Sequence, residues 1–371
     1  MRDLNRYRGC LIGGAVGDAL GYAVEFCTAS GIFEKYGEKG ITDYDRVDGM
    51  ALVSDDTQMT LFTANGLLAA QAAGPGTPTA QACLAGIAAC YRDWLKTQTA
   101  EEFGFAPPEF SWLNHVPEMN YNRAPGLTCL HSLMEKELGS TARPLNSSKG
   151  CGGVMRVAPI GLFFGDGRFS PDETDRLGAE AAALTHGHEL GYLPAAMLVH
   201  IIHRLTQGED GTVLRAVEHA QRAMYRLFPE AVHLGELMER ADLAMALARR
   251  QDMDDRQAIA QLGEGWVAEE TLAIALYCSL KYEQDFEKAI LASVNHGGDS
   301  DSTGAVTGNI LGAHLGMKGI PDRFLHNLEL KETILEIAED LFRGGPDGTG
   351  GMEERWQWKY GGRFHPVPAG E

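Results

Sequence analysis

The sequence predicts an all-α protein. Apolar residues recur at helical spacing along nearly the whole chain, no stretch shows convincing two-residue β alternation, and no fixed-period repeat is present. With 371 residues, 44% of them hydrophobic, the chain can bury a sizeable core. Two glycine-striped helices and two acid clusters sit at opposite ends of the chain, which argues for one core. Residues 1–345 are therefore expected to form a single compact multi-helix domain, and 346–371 a Gly-, Pro- and Trp-containing C-terminal tail.

The first helix begins near Arg6. Gly9, Gly13, Gly17 and Gly21 recur every four residues and form one stripe along a helix face. Glycine weakens a helix by ~1 kcal/mol per residue, so four of them need a reason, and close approach of a second helix supplies one. Gly304, Gly308, Gly312 and Gly316 form a matching stripe far downstream. Asp18 and Glu25 are two turns apart on the otherwise apolar first helix, hence on one face. Residues 31–50 are Gly- and Asp-rich and read as a loop.

Thr57–Ala73 is an Ala- and Leu-rich helix, ended by Gly74-Pro75-Gly76, and Thr79–Lys96 is the next. Residues 100–126 interleave Pro107, Pro108, Pro117 and Pro125 with Phe103, Phe105, Phe110, Trp112 and Tyr121, reading as a lid or as a surface loop pinned by aromatics. Leu127–Leu138 is a short helix. Asn146–Arg156 is a Ser- and Gly-rich loop opening a helix, which exposes backbone N–H groups suited to phosphate; it is neither a Walker A motif nor a Rossmann fingerprint. Helices follow at 171–184, 191–207, 212–227, 232–250, 255–261, 267–281, 285–295 and 331–343. Between them lie Thr185-His186-Gly187-His188 and the turn Gly263-Glu264-Gly265-Trp266. The two histidines could ligate a metal, but no Cys or acid lies nearby, so hydrogen-bonded structure or a ligand contact is the plainer reading.

The net charge of −19, from 32 basic and 51 acidic residues, argues against stable nucleic-acid binding and leaves room for a small phosphorylated ligand. Seven cysteines with no C-x-x-C suggest reduced thiols in a cytoplasmic protein. No signal-peptide cleavage pattern is visible, and the apolar run from Cys10 to Phe26 is short for a membrane span and carries acids.

Two segments carry the chemistry. His296-Gly297-Gly298-Asp299-Ser300-Asp301-Ser302-Thr303 gathers two carboxylates and three hydroxyls, and Ser54-Asp55-Asp56-Thr57 repeats that character far upstream. These are hard oxygen donors of the kind that hold Mg²⁺, Mn²⁺ or Ca²⁺. Both also precede helices, where Ser, Thr and Asp serve as N-caps. A cap needs one acceptor, whereas adjacent carboxylates repel unless a cation neutralises them. The two halves are expected to meet on folding.

These segments together resemble the ADP-ribosylglycohydrolases. The resemblance rests on Gly13–Gly21, Ser54–Met59, Gly150–Pro159, Thr185-His186, Leu262–Cys278 and Asn295–Gly304, in the family's order from residue 9 to about residue 316. It implies an all-α fold with a central metal cleft holding two Mg²⁺ or Mn²⁺ ions. The family's metal ligands fall on Ser54, Asp55, Asp56, Asp299, Asp301 and Ser302. Glu25 matches a glutamate near the scissile bond, and Asp55, Asp56, Asp301 or Glu25 would take a proton from water. The diphosphate loop falls on Gly150, Cys151, Gly152 and Gly153, with Ser148 just before them. His186 matches a substrate-contacting histidine, and Trp266 lines the ribose or adenine pocket. Many members have Asn where this chain has Cys151. The implied activity is metal-dependent removal of ADP-ribose from a protein, nucleic acid or small molecule by cleavage at C1″. Two alternatives are a catalytically silent ADP-ribose-binding regulator and a dinuclear-metal hydrolase of another ribosyl or phosphoester substrate; a third, purely structural reading takes the acids as caps.

Overall fold

In the computed structural model, residues 2–74, 76–103, 110–163, 169–208, 210–250, 252–345 and 350–361 are described. The chain is helical as expected. In order the helices are α1 (Leu4–Tyr22), α2 (Ala29–Tyr36), α3 (Asp55–Ala72), α4 (Ala80–Phe103), α5 (Leu127–Met134), α6 (Ala158–Phe163), α7 (Pro171–Ala183), α8 (Glu189–Gln207), α9 (Val213–Leu227), α10 (Leu234–Ala248), α11 (Asp255–Leu262), α12 (Ala268–Lys281), α13 (Phe286–Val294), α14 (Ser300–Leu315), α15 (Lys331–Arg343) and α16 (Gly350–Tyr360). Among the described residues there is no sheet, only isolated bridges such as Gly150 with Val267. None of their helices is long and apolar enough to cross a membrane.

The fold is built on α1 and α14. Both are buried on every face, from Gly9 to Gly21 and from Ser300 to Ala313. A helix of that kind belongs at a core rather than at a surface. The two run antiparallel with their glycine stripes in contact: Gly9 faces Gly312, Gly13 faces Gly308, Gly17 faces Gly304 and Gly21 faces Ser300. A Cβ at any of these glycines would collide with the facing backbone, so only glycine permits this approach. Asn309 Nδ2 adds a bond across the seam to the Cys10 carbonyl at 2.9 Å. Gly316 ends the stripe, its backbone also lying where a Cβ on Gly9 would collide. It caps α14 at φ +73°, a left-handed turn that ends the helix beside Asn5.

Three readings are corrected. Residues 31–50 are not all loop, because Thr28 caps the eight-residue α2. Glu25 is not on the α1 face, because the helix ends at Tyr22 and Glu25 lies in the turn beyond. In the stretch read as a tail, Gly350–Tyr360 is helical and packs on α3, burying Trp356 and Tyr360. Its Gly and Pro residues cluster at the flanks and leave a helix-compatible interior. In the aromatic loop Trp112 is buried and Tyr121 exposed, whereas Phe105, Pro107 and Pro108 lie outside the described residues.

Candidate functional site

The α1–α14 pairing brings the C-terminal end of α1 to the start of α14. Asp18, fully buried near that end of α1, then reaches the start of α3. It accepts the Ser54 N–H at 2.9 Å, the Thr57 N–H at 3.0 Å and the Thr57 hydroxyl. One carboxylate thus fixes the beginning of α3 against the α1–α14 pair. Ser54 caps α3, its hydroxyl accepting the Asp56 N–H at 3.2 Å, and Asp55 and Asp56 occupy the first turn. Asp299 caps α14, accepting the Ser302 N–H at 3.3 Å, and Asp301 sits in its first turn. Two helix N-termini, each favourable for negative charge, converge on one place.

The result is a nest of buried carboxylates. Ligand atoms of Asp55, Asp56 and Asp301 lie within 4.8 Å of one another, and so do those of Glu25, Asp299 and Asp301. Asp301 belongs to both groups, so the sequence-distant clusters do meet. Among the described residues no Lys, Arg or His forms an ion pair with any of these five. Burial pushes their pKa values up, and mutual repulsion, chiefly from Asp301, pushes further: Glu25 to about 10, and Asp55, Asp56 and Asp299 well above the usual carboxylate range. Asp18 rises to about 7, through burial and then Asp301.

Two buried oxygens, Glu25 Oε2 and Asp56 Oδ2, have no hydrogen-bond partner among the described residues. Buried polar atoms without partners are rare, and here they belong to an all-oxygen donor set lacking a counter-charge. That chemistry fits hard divalent cations. Ser54 is engaged as a cap, and the Ser302 hydroxyl donates to Met155 Sδ at 3.8 Å.

The Ser- and Gly-rich loop lies against this nest. Cys151–Gly153 forms a single 3₁₀ turn rather than the start of a long helix. The loop is clamped to the stretch before α12: Cys151 N–H donates to the Trp266 carbonyl at 3.3 Å and Ala268 N–H to the Lys149 carbonyl at 2.8 Å. The Gly153 N–H turns back toward the Gly150 carbonyl within the 3₁₀ turn, and the Gly152 N–H has no protein acceptor among the described residues. The Ser148 hydroxyl meets Thr128 at 3.2 Å. Cys151 Sγ donates to Asp299 Oδ2 at 2.7 Å, and burial, reinforced by Asp299, drives its pKa well above the usual thiol range. Gly265, at φ +87°, lets the backbone beside Trp266 press onto Asp299.

His186 is buried with Nδ1 2.8 Å from the Thr185 hydroxyl, and burial, aided by Arg156, lowers its pKa to about 3. His188 is separate: it caps α8 and its ring meets His233 at 4.6 Å. Half-exposed Trp266 stacks on Phe26, with centroids 6.0 Å apart. Phe26 is 74% exposed, unusual for its type, and immediately follows Glu25. Sequence reasoning missed Phe26, the Asp18 contacts and Arg156; only the lone acid in the apolar α1 was visible beforehand.

Comparison with known proteins identifies the family. The description ADP-ribosylglycohydrolase matches residues 1–349. ADP-ribosylhydrolase ARH3 of Mus musculus is 23% identical, covering 92% of this chain and 92% of its own length. ADP-ribosyl-[dinitrogen reductase] glycohydrolase of Rhodospirillum rubrum is 25% identical over 88% of this chain and 91% of its own. A solved structure titled ADP-ribosylglycohydrolase-related protein complex shares the fold, with a TM-score of 0.53 and 23% identity over 92% of this chain and 98% of that one. The chain belongs to the ADP-ribosylglycohydrolase family, and with it to the glycosidic-bond hydrolases that remove ADP-ribose.

Proposed function

We propose that this chain cleaves the C1″ glycosidic bond of an ADP-ribosylated protein, nucleic acid or small molecule, and does so only with divalent cations. The observation that carries the reading is the pair of carboxylate groups sharing Asp301. Asp55, Asp56 and Asp301 would hold one Mg²⁺ or Mn²⁺, and Glu25, Asp299 and Asp301 a second, with the Ser54 and Ser302 hydroxyls beside them. When bound, such a pair orients ribose hydroxyls, stabilises developing charge and lowers the pKa of water.

The chain's own groups do the rest. Glycosidic cleavage builds oxocarbenium character on the sugar, which an anionic pocket tolerates. Glu25 or one of the aspartates accepts the proton of the attacking water. The backbone of the Gly150–Gly153 loop, with the Gly152 N–H turned to the ligand, binds the diphosphate, where no side-chain charge is required. Cys151 keeps the loop pinned to Asp299. Trp266 and Phe26 supply a flat apolar wall at the mouth for the ribose or adenine. Residues 1–345 act as one catalytic domain in this reading, and seven free cysteines suit a reducing cytoplasmic setting.

The test is a panel of ADP-ribosylated proteins, nucleic acids and small molecules, assayed for released ADP-ribose with Mg²⁺, with Mn²⁺ and with chelator. At least one substrate is turned over with metal and none with chelator. Asp55→Ala and Asp301→Ala each lower turnover more than about a hundredfold, exceeding the effect of supporting residues at metal sites. Full activity of either variant, or full activity in chelator, would falsify the metal role.

A further inference from the structure

Arg156 is the anomaly of the interior. Its side chain is completely buried, and no carboxylate pairs with it among the described residues. Removing a guanidinium from water without a counter-charge is costly. Its compensation is partial. One Nη2 bond goes to the Ala181 carbonyl at 3.1 Å and another to the Thr185 hydroxyl at 2.8 Å. The Nη1 partners are two sulfur atoms at 3.5 Å, the guanidinium lies 4.3 Å from the Tyr91 ring centroid, and Nε has no partner among the described residues. An apolar residue of similar volume would fill this place at lower cost.

The bond to Thr185 supplies a reason to keep the charge. Arginine has donors only, so Thr185 Oγ1 must accept from it. The hydroxyl has one proton to give. Its nearer acceptor is His186 Nδ1 at 2.8 Å, against 3.5 Å to the Ala182 carbonyl. A ring nitrogen that accepts carries no proton, so the imidazole proton sits on Nε2. That edge faces the loop: positions for a Cβ on Gly150 and Gly152 are 3.3 and 3.2 Å from Nε2, and Nε2 has no protein partner among the described residues.

We infer that Arg156 is a positioning residue which, through the Thr185 hydroxyl, locks His186 as an Nε2–H donor aimed at the anion held by the Ser148–Gly153 loop. The proposal deepens the diphosphate-binding reading and rests on it. It assigns the relay to binding, because the proposed cleavage passes its proton to Glu25 or an aspartate rather than through His186. The buried charge also works at a distance, since a guanidinium behind the loop opposes protonation of His186 and favours an anion in front of it.

The experiment uses full-length protein labelled with ¹⁵N-histidine, with the His186 signals assigned by their loss in His186→Gln. Long-range ¹H–¹⁵N spectra of the wild type, without ligand, show His186 protonated at Nε2 and unprotonated at Nδ1. Thr185→Val, which keeps the volume and removes the hydroxyl, populates the Nδ1–H form and raises the Kd for ADP-ribose about tenfold, the worth of one hydrogen bond to a charged group. Thr185→Ser restores both readouts. Arg156→Lys, which keeps the charge but loses the fork, shifts the tautomer part of the way. A wild-type Nδ1–H ring, an unchanged tautomer in Thr185→Val, or an unchanged Kd despite a changed tautomer overturns the assignment. If wild-type protein binds no ADP-ribose, the diphosphate reading falls, and the spectra alone still report whether the relay exists.

Discussion

Asp18 serves a site without being one of its converging ligand groups. Its carboxylate orders the first turn of α3 and lies close enough to Asp301 to feel its charge. The sign of the pH effect follows. Asp18 and Glu25 have folded pKa values of about 7 and about 10, raised above ordinary carboxylate values near 3.8 and 4.5. Between the unfolded and folded values the native state holds more protons than the unfolded chain, so stability falls as pH rises through that window. In chelator the Tm therefore drops by about 3–6 °C between pH 5 and pH 8. Saturating Mg²⁺ or Mn²⁺ flattens that slope; scanning calorimetry at matched ionic strength measures it, and an equal slope with and without cation refutes the link. The four aspartates at the helix starts were legible from their unusual pairing with hydroxyls. Arg156 was not, because an arginine in an apolar run says nothing about which hydroxyl it will meet after folding.

Among elements, the α1–α14 seam decides most. Its glycine spacing was readable, and so was the need for a partner helix, because four glycines in one helix have no local justification. The end of α14 was not readable: a glycine in register with a stripe and a glycine that caps it look alike in sequence. Nor was α2, whose eight residues are too few for periodicity to rise above its Gly-rich surroundings. The seam leaves no room for a side chain. Gly17→Val therefore destabilises the fold by about 3 kcal/mol or more, the upper range for overpacking, and weakens cation binding by parting the starts of α3 and α14. A surface change of the same size, Gly235→Val on α10, where nothing among the described residues meets the added Cβ, leaves stability within about 0.5 kcal/mol or raises it slightly, because valine is the better helix residue. Chemical denaturation of the two variants, with Mn²⁺ binding measured on each, separates them.

At the scale of the molecule, α16 shows that a region read as a tail can buttress the site. It lies on α3, the helix that presents Asp55 and Asp56, and is tied to α15 by the Tyr360 hydroxyl and Lys359 on Asp340. Trp356→Ala costs about 3–5 kcal/mol, as for other buried tryptophans, and Trp358→Ala, at a half-exposed position, costs far less. Thermal unfolding monitored by circular dichroism tests the contrast. Composition alone hid this helix, because Gly and Pro at its borders outweighed its short interior. Pairing α1 with α14 has a last consequence, for synthesis. α1 waits for α14, which is translated much later, and at roughly 5–20 residues per second the ribosome imposes a delay of many seconds. Throughout that interval the nascent protein carries an uncovered glycine ridge, and Asp55 and Asp56 stand without the Asp301 that completes their group.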